Sequence, residues 1–241
     1  PEGYNVFLPD KGQPKRRILE TYTKEHSAGY HGQVPIDLAI QMKKKLPSLN
    51  NIKKIILHTK RKTHIMMGAG SGDISKWNPS ASRETLDHSA MYCFAVALED
   101  GQWHHKKSYL KERSNRSSTV TLWKKITTSE DPAWNERFDN QEPLQRDHGM
   151  CAEVIYKDGT IIRDELAVPF AHPRGNRPFR HNEYVHKFSQ LTEGVIAKTE
   201  AKRFLTASDR LIYLNSEELR DLLPLTIPSH VKVKKTKNGL F

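Results

Sequence analysis

The chain has 241 residues, 36% hydrophobic content and a mean hydropathy of −0.72, enough for one domain or two with a sizeable but heavily solvated core. A net charge of +11 raises nucleic-acid binding, but the clusters at Lys43–Lys45, Lys60–Lys62 and Lys232–Lys237 carry no interleaved aromatics and read as solvated faces and a basic tail. The two cysteines, Cys93 and Cys151, have no metal or redox spacing, and no signal segment or apolar run of bilayer length is visible, so a disulfide scaffold and a membrane protein are both disfavoured.

Taken in order, residues 1–17 read as a polar loop or frayed start, and the opening Pro1-Glu2-Gly3 suits a truncated or processed product. Ile18 to Lys24 is too short to assign. Lys24-Glu-His-Ser-Ala-Gly-Tyr-His31 then places two histidines, a lysine and a tyrosine in eight positions. Either a surface loop or a segment carrying proton-transfer groups into a cleft would explain that density. Val34 to Leu46 predicts a helix, with Pro35 in its first turn and Lys43 to Lys45 at its negative end. Ile52 to Thr59 predicts a strand. His58 and His64 have no carboxylate nearby in sequence, which argues against metal ligation, and the Gly68 to Gly72 run lacks the context of a phosphate cradle. It reads as a flexible loop.

Pro79 to Gly101 holds the longest apolar run, Ala90 to Leu98. Small polar residues suit its entry and Gly101 suits a left-handed stop, so it predicts a helix buried nearly all round. Asp87, His88 and Tyr92 gather at its mouth, and the four-residue spacing of His88 and Tyr92 puts both on one helical face. Arg83 lies just upstream near the positive end of the dipole. A cation, an imidazole, a phenol and a helix N-terminus together suit a ligand bearing carboxylates.

Gln102 to Ser118 reads as a long polar loop, Thr119 to Ile126 as a short helix and Glu130 to Trp134 as a turn. Cys151 to Val168 is a hairpin about Asp158-Gly159, a dipeptide suited to a two-residue primed turn, with Lys157, Arg163 and Asp164 near solvent. His172 to Phe179 is an irregular crossing. Helices follow over 182–191, 193–204 and 216–223, the last capped at Ser216 with Leu219, Leu222 and Leu223 inward. Lys232 to Phe241 is a basic tail. The expected fold is α+β, an antiparallel sheet packed by helices.

Neither a His-Glu-x-x-His metal motif nor a Gly-x-Ser-x-Gly nucleophile elbow is present. What remains is proton transfer on a carboxylate-rich substrate, which histidine, lysine and tyrosine can perform.

Three stretches carry a resemblance: Arg83-Glu-Thr-Leu-Asp-His-Ser89 with the helix after it, Tyr22 to Gln33, and Asp164-Glu-Leu-Ala-Val168 with His172-Pro-x-Gly175. Together they are similar to the MmgE/PrpD family, and within it to the C-terminal half of the 2-methylcitrate dehydratases. The resemblance implies a lid-type α+β domain over 28–175, preceded by a segment 1–27 leading from a helical half absent from this sequence. Residues 176–241 would supply C-terminal helices of a larger all-α domain. It implies cofactor-free dehydration of 2-methylcitrate to 2-methylaconitate, in the cytoplasm or mitochondrial matrix, by a homodimer acting on a small tricarboxylate. No metal, nucleic acid or membrane partner is implied. The implied catalytic residues are Lys24, His88 and Tyr92, with Arg83, His26, Tyr30, His31, Gln33 and Asp87 contacting substrate. Alternatives are a family decarboxylase or epimerase, or a non-enzymatic basic binding module.

Overall fold

Residues 10–14, 21 and 23–223 are described by the computed structural model. Tyr22, the basic tail from Lys232 and most of the polar start lie outside the described residues. The chain divides into two compact units, Pro1–Pro178 and Phe179–Phe241.

The first unit is built on four strands, β1 (Ile52–Thr59), β2 (Ile126–Glu130), β3 (Met150–Tyr156) and β4 (Ile161–Leu166), in the order β2-β1-β3-β4. The α+β class holds, but the sheet is mixed: β1 pairs antiparallel with β3 and β3 with β4, while β1 and β2 run parallel. Parallel neighbours need a crossover, and the helical stretch between Thr59 and Ile126 supplies it. β2 was expected as the end of a helix and the start of a turn. Its sequence, Ile-Thr-Thr-Ser-Glu, has one aliphatic residue and lies at the sheet edge, so it shows almost none of the alternation that marks a strand.

One sheet face sends Ile55, Leu57, Ala152, Val154 and Ile126 into a core shared with α1 (Gln33–Lys43) and α4 (Ala90–Asp100). Between β1 and α4 come α2 (Arg61–Met67) and α3 (Arg83–Leu86). The nine residues Ala90 to Leu98 are all buried, as the apolar run predicted. Each large side chain there contributes roughly 1.5–3 kcal/mol by leaving water. The Ser89 hydroxyl accepts the Tyr92 N–H at the start of α4, and Gly101, at φ 69°, ends it by donating to Ala97 O.

Past α4, the stretch read as a polar loop contains α5 (Lys111–Ser114) and the start of α6 (Ser117–Trp123). Arg113 anchors it: the guanidinium is 5% exposed and donates to Glu99 and Asp100 at 2.9 Å each. Those carboxylates crowd the negative end of α4, where a cation offsets them. The turn after β2 continues into α7 (Pro132–Phe138). The Gly-rich run contains a 3-10 turn, Ala69–Ser71, and a second, Ile74–Trp77, follows it. A Cβ on Gly70 would meet the His64 ring, which itself bonds Thr128 Oγ1 at 2.7 Å.

The hairpin between β3 and β4 forms as expected, but with a different turn. Gly159 alone takes a positive φ, 88°, while Asp158 stays on the negative side. Gly159 N–H donates to Tyr156 O and Tyr156 N–H to Thr160 O, which makes a three-residue loop with a glycine bulge. A primed turn would need positive φ at both central residues.

The second unit contains α8 (His181–Thr192), α9 (Lys198–Asp209) and α10 (Ser216–Leu222). Phe188 and Phe204 stack at 5.0 Å. Asn215, one residue earlier than expected, caps α10: it accepts from Glu217 and Glu218 N–H while the Glu218 carboxylate accepts its own N–H. No residue of these three helices is buried, and Leu219 and Leu223, expected inward, are 46% and 61% exposed.

Candidate functional site

The segment from Lys24 to Gly32 is folded back on itself by its own polar groups. Gln33, at the first position of α1, is buried; its Oε1 accepts the His26 N–H at 2.9 Å and its amide donates to His26 O at 3.0 Å. His26 Nε2 lies 2.7 Å from Asp37 Oδ1, and Asp37 Oδ2 accepts the Phe170 N–H at 2.8 Å. The loop is thus clasped to α1, and α1 to the segment after β4. His26 and Gln33 were expected to contact substrate; both face inward and hold the loop. Glu25, His26 and Asp37 have ligand atoms within 4.8 Å of one another. Each already engages the protein, Glu25 through Arg177.

What the clasp presents is the turn Tyr30–Gly32. Gly29 N–H donates to Asp87 O at 3.0 Å, and a Cβ on Gly29 would lie 3.4 Å from the His88 ring. Two stretches almost sixty residues apart therefore meet at Gly29, the residue before Tyr30. Lys76, itself buried, donates to His88 O at 3.0 Å and fixes that junction. The His88 Nδ1 contacts Asp87 Oδ1 and lies 2.9 Å from Glu84 O, leaving the ring edge open to solvent. Lys24 donates to Ala28 O at 2.9 Å across the same turn. The Arg83 guanidinium stacks on Tyr109 at 4.8 Å, and Tyr109 donates to Ser27 O.

Tyr92 is placed otherwise. Helix α4 starts at Ala90 with Ser89 as its cap, so His88 precedes the helix and the four-residue spacing sets no common face. The Tyr92 side chain is fully buried, 4.9 Å from the Trp123 ring, and its hydroxyl donates to Ser108 O at 2.5 Å. Burial pushes its ionisation far above the ordinary phenol value. The expected convergence with His88 is not found; Tyr92 is a core aromatic whose polar tip is satisfied by backbone.

On the other side of His31 is a group of residues that the sequence did not single out. His31 Nδ1 is 2.9 Å from Thr63 Oγ1 on α2. Its ring is 6.1 Å from that of His148, which packs edge-on against Tyr30 at 4.7 Å and Phe138 at 5.0 Å. Lys60, the residue before α2, lies over the Phe138 ring at 4.9 Å and is 1% exposed. It was counted among the solvated lysines; its position straight after β1 turns it into the interior. Burial and the Lys62 charge lower its ionisation to about 7. Burial, then Lys60, then Lys62 lower His31 to about 4, and burial followed by Lys60 lowers His148 to about 3. Both rings are neutral at pH 7. His172 is lowered to about 4 by burial and Arg174. Perturbed groups gathered in this way mark a candidate functional centre.

The model of the MmgE/PrpD C-terminal domain matches residues 26–211, well over half of the sequence. The chain belongs to the MmgE/PrpD family. Members of this family are in general enzymes, and the match supports dehydratase-like function at family level. In this MmgE/PrpD chain the match begins at His26 and takes in the loop at His31, the Arg83–Ser89 stretch and all four strands of the sheet. Among the described residues no helix is long and apolar enough to cross a membrane.

Proposed function

We propose that this chain is the C-terminal portion of a lyase of the 2-methylcitrate dehydratase type, converting 2-methylcitrate to 2-methylaconitate without a cofactor. The observation that carries the reading is the Gly29–Asp87 hydrogen bond, which joins the Lys24–Gln33 loop to His88 in a member of this family. Dehydration of a β-hydroxy acid needs a base for a C–H proton, an acid for the departing hydroxide and cations for the carboxylates. A neutral His31 suits a base at pH 7, His88 with its open ring edge suits proton donation, and Lys24 and Arg83 supply positive charge. An N-terminal helical half would complete the cleft, and a homodimer is the proposed assembly; a clean monomer of the intact protein on gel filtration would overturn that assembly.

The test is 2-methylcitrate incubated with the protein that includes the helical half, followed in the ultraviolet for an unsaturated product. Release of carbon dioxide instead would assign a decarboxylase, and an isomer of unchanged mass an epimerase. No turnover of any polycarboxylate would sink the enzyme reading.

A further inference from the structure

The amine of Lys60 is a buried nitrogen with no hydrogen-bond partner, and so is Nδ1 of His148. Native proteins rarely leave such groups unmet, because the desolvation of each is uncompensated. The nearby carboxylate does not serve Lys60: Asp147 takes Arg137 Nε on Oδ2 and Arg174 Nη2 on Oδ1, both at 2.8 Å. The amine lies over the face of Phe138, 4.9 Å from its centre. Around it stand Thr63 and Lys62 from α2, His31 from the clasped loop, and His148 from the approach to β3. Tyr30, His31 and His148 are half-buried, so the group is not sealed from solvent, and Gly29, next to Tyr30, lies against the His88 ring.

We propose that Lys60 and His148, beside His31, form a subsite for one carboxylate of the substrate, and that the anion binds together with a proton taken up by Lys60. This rests on the reading of the loop as a polycarboxylate site and adds residues outside the three stretches that carry the family resemblance. The amine sits near neutral histidines, Phe138 and the Lys62 cation, and Asp147 acts on it as an anion. An uncharged amine is favoured there above pH 7. Entry of a carboxylate reverses the local field: R–NH2 plus H+ gives R–NH3+, which donates to the carboxylate oxygen, and His148 donates from a ring N–H. No bond to carbon forms or breaks. The site therefore selects anions in a proton-linked manner, which a surface lysine would not do.

The experiment uses the intact protein carrying 13Cε-lysine, with citrate as probe and acetate as a single-carboxylate control. Lys60→Met, which keeps the stem and the apolar contact with Phe138, identifies the Lys60 resonance; Lys60→Arg and His148→Gln serve as second variants should Lys60→Met fold poorly. The expected result is one lysine titrating near neutrality that moves up to about 9 or above when citrate is added, the rise that a charge-assisted contact in a buried site gives. Calorimetry at pH 8 in HEPES and in Tris should show close to one proton taken up per citrate. Lys60→Met should lose that uptake and weaken citrate by about tenfold or more, the scale of one charge-assisted contact. Citrate that binds with a Lys24 dependence but leaves the Lys60 signal unmoved would overturn the subsite and leave the lyase reading intact. Citrate binding through Lys60 with no turnover of any polycarboxylate would do the reverse. A Lys60 resonance indifferent to both citrate and acetate at saturating levels also overturns the subsite.

Discussion

Individual side chains divide into those that hold the site and those that face it. Tyr92 holds: Tyr92→Phe removes one buried hydrogen bond and should lower stability by about 1 kcal/mol, with turnover of the complete enzyme nearly unchanged. A hundredfold fall in kcat with normal stability would return Tyr92 to the chemistry. Lys24 faces outward, and Lys24→Ala should lower turnover by roughly 100-fold, the scale of a positioned charge, while leaving the melting temperature in place. The histidines add a pH signature. His31, His148 and His172 fall from the ordinary 6.5 to about 4, 3 and 4 in the folded protein, so the unfolded chain binds more protons as pH drops below 6.5. The histidines' contribution to stability should thus be full above that value and be lost progressively as pH falls from 6.5 toward 4. Thermal melts at pH 7, 6 and 5 would show the decline, and His148→Gln should flatten it; an unchanged slope would mean that His148 is solvated.

The elements depend on a few close fits that local sequence does not announce. Arg113 ties α5 and α6 to the end of α4. Arg113→Met removes the buried cation shared by Glu99 and Asp100, leaving Arg116 at 3.9 Å from Asp100, and should cost about 3 kcal/mol in denaturant unfolding; a loss below about 1 kcal/mol would show that the pairing is replaced by Arg116 or water. Gly149 lets β3 enter against its neighbours. A Cβ there would stand 2.3 Å from Trp134 Cζ3 and 2.5 Å from Leu166 O, and the second is backbone, so Gly149→Ala must move the β3–β4 ladder. A soluble, normally folded Gly149→Ala with unchanged stability would contradict that packing. Elements with a strong local signal were legible: Ile52–Thr59 is a short run with β-branched residues, alternating runs flank Asp158-Gly159, and Ala90–Leu98 is apolar throughout. β2 and α5 were not, since one is short and polar and the other buries only the polar residues Arg113 and Ser114.

Across the whole molecule, the +11 charge is spread rather than gathered on one stacking surface, so generic DNA or RNA should not be retarded at moderate salt; a salt-dependent shift there would favour the basic binding module. The chain alone carried the α+β class and the family, because long motifs and periodic runs are local properties that no packing can alter. It also named the loop at Lys24–Gln33 and the Asp87–His88 pair as places where chemistry gathers. Their meeting through Gly29 was not legible, nor was the inward turn of His26 and Gln33, because a polar residue reads the same in sequence whether it faces water or an internal partner. Only the tertiary structure withdrew Tyr92 into the core and brought Lys60, a member of a seemingly solvated cluster, under Phe138 beside His148. Burial sets the ionisation of such groups, and burial is decided by residues distant in the chain.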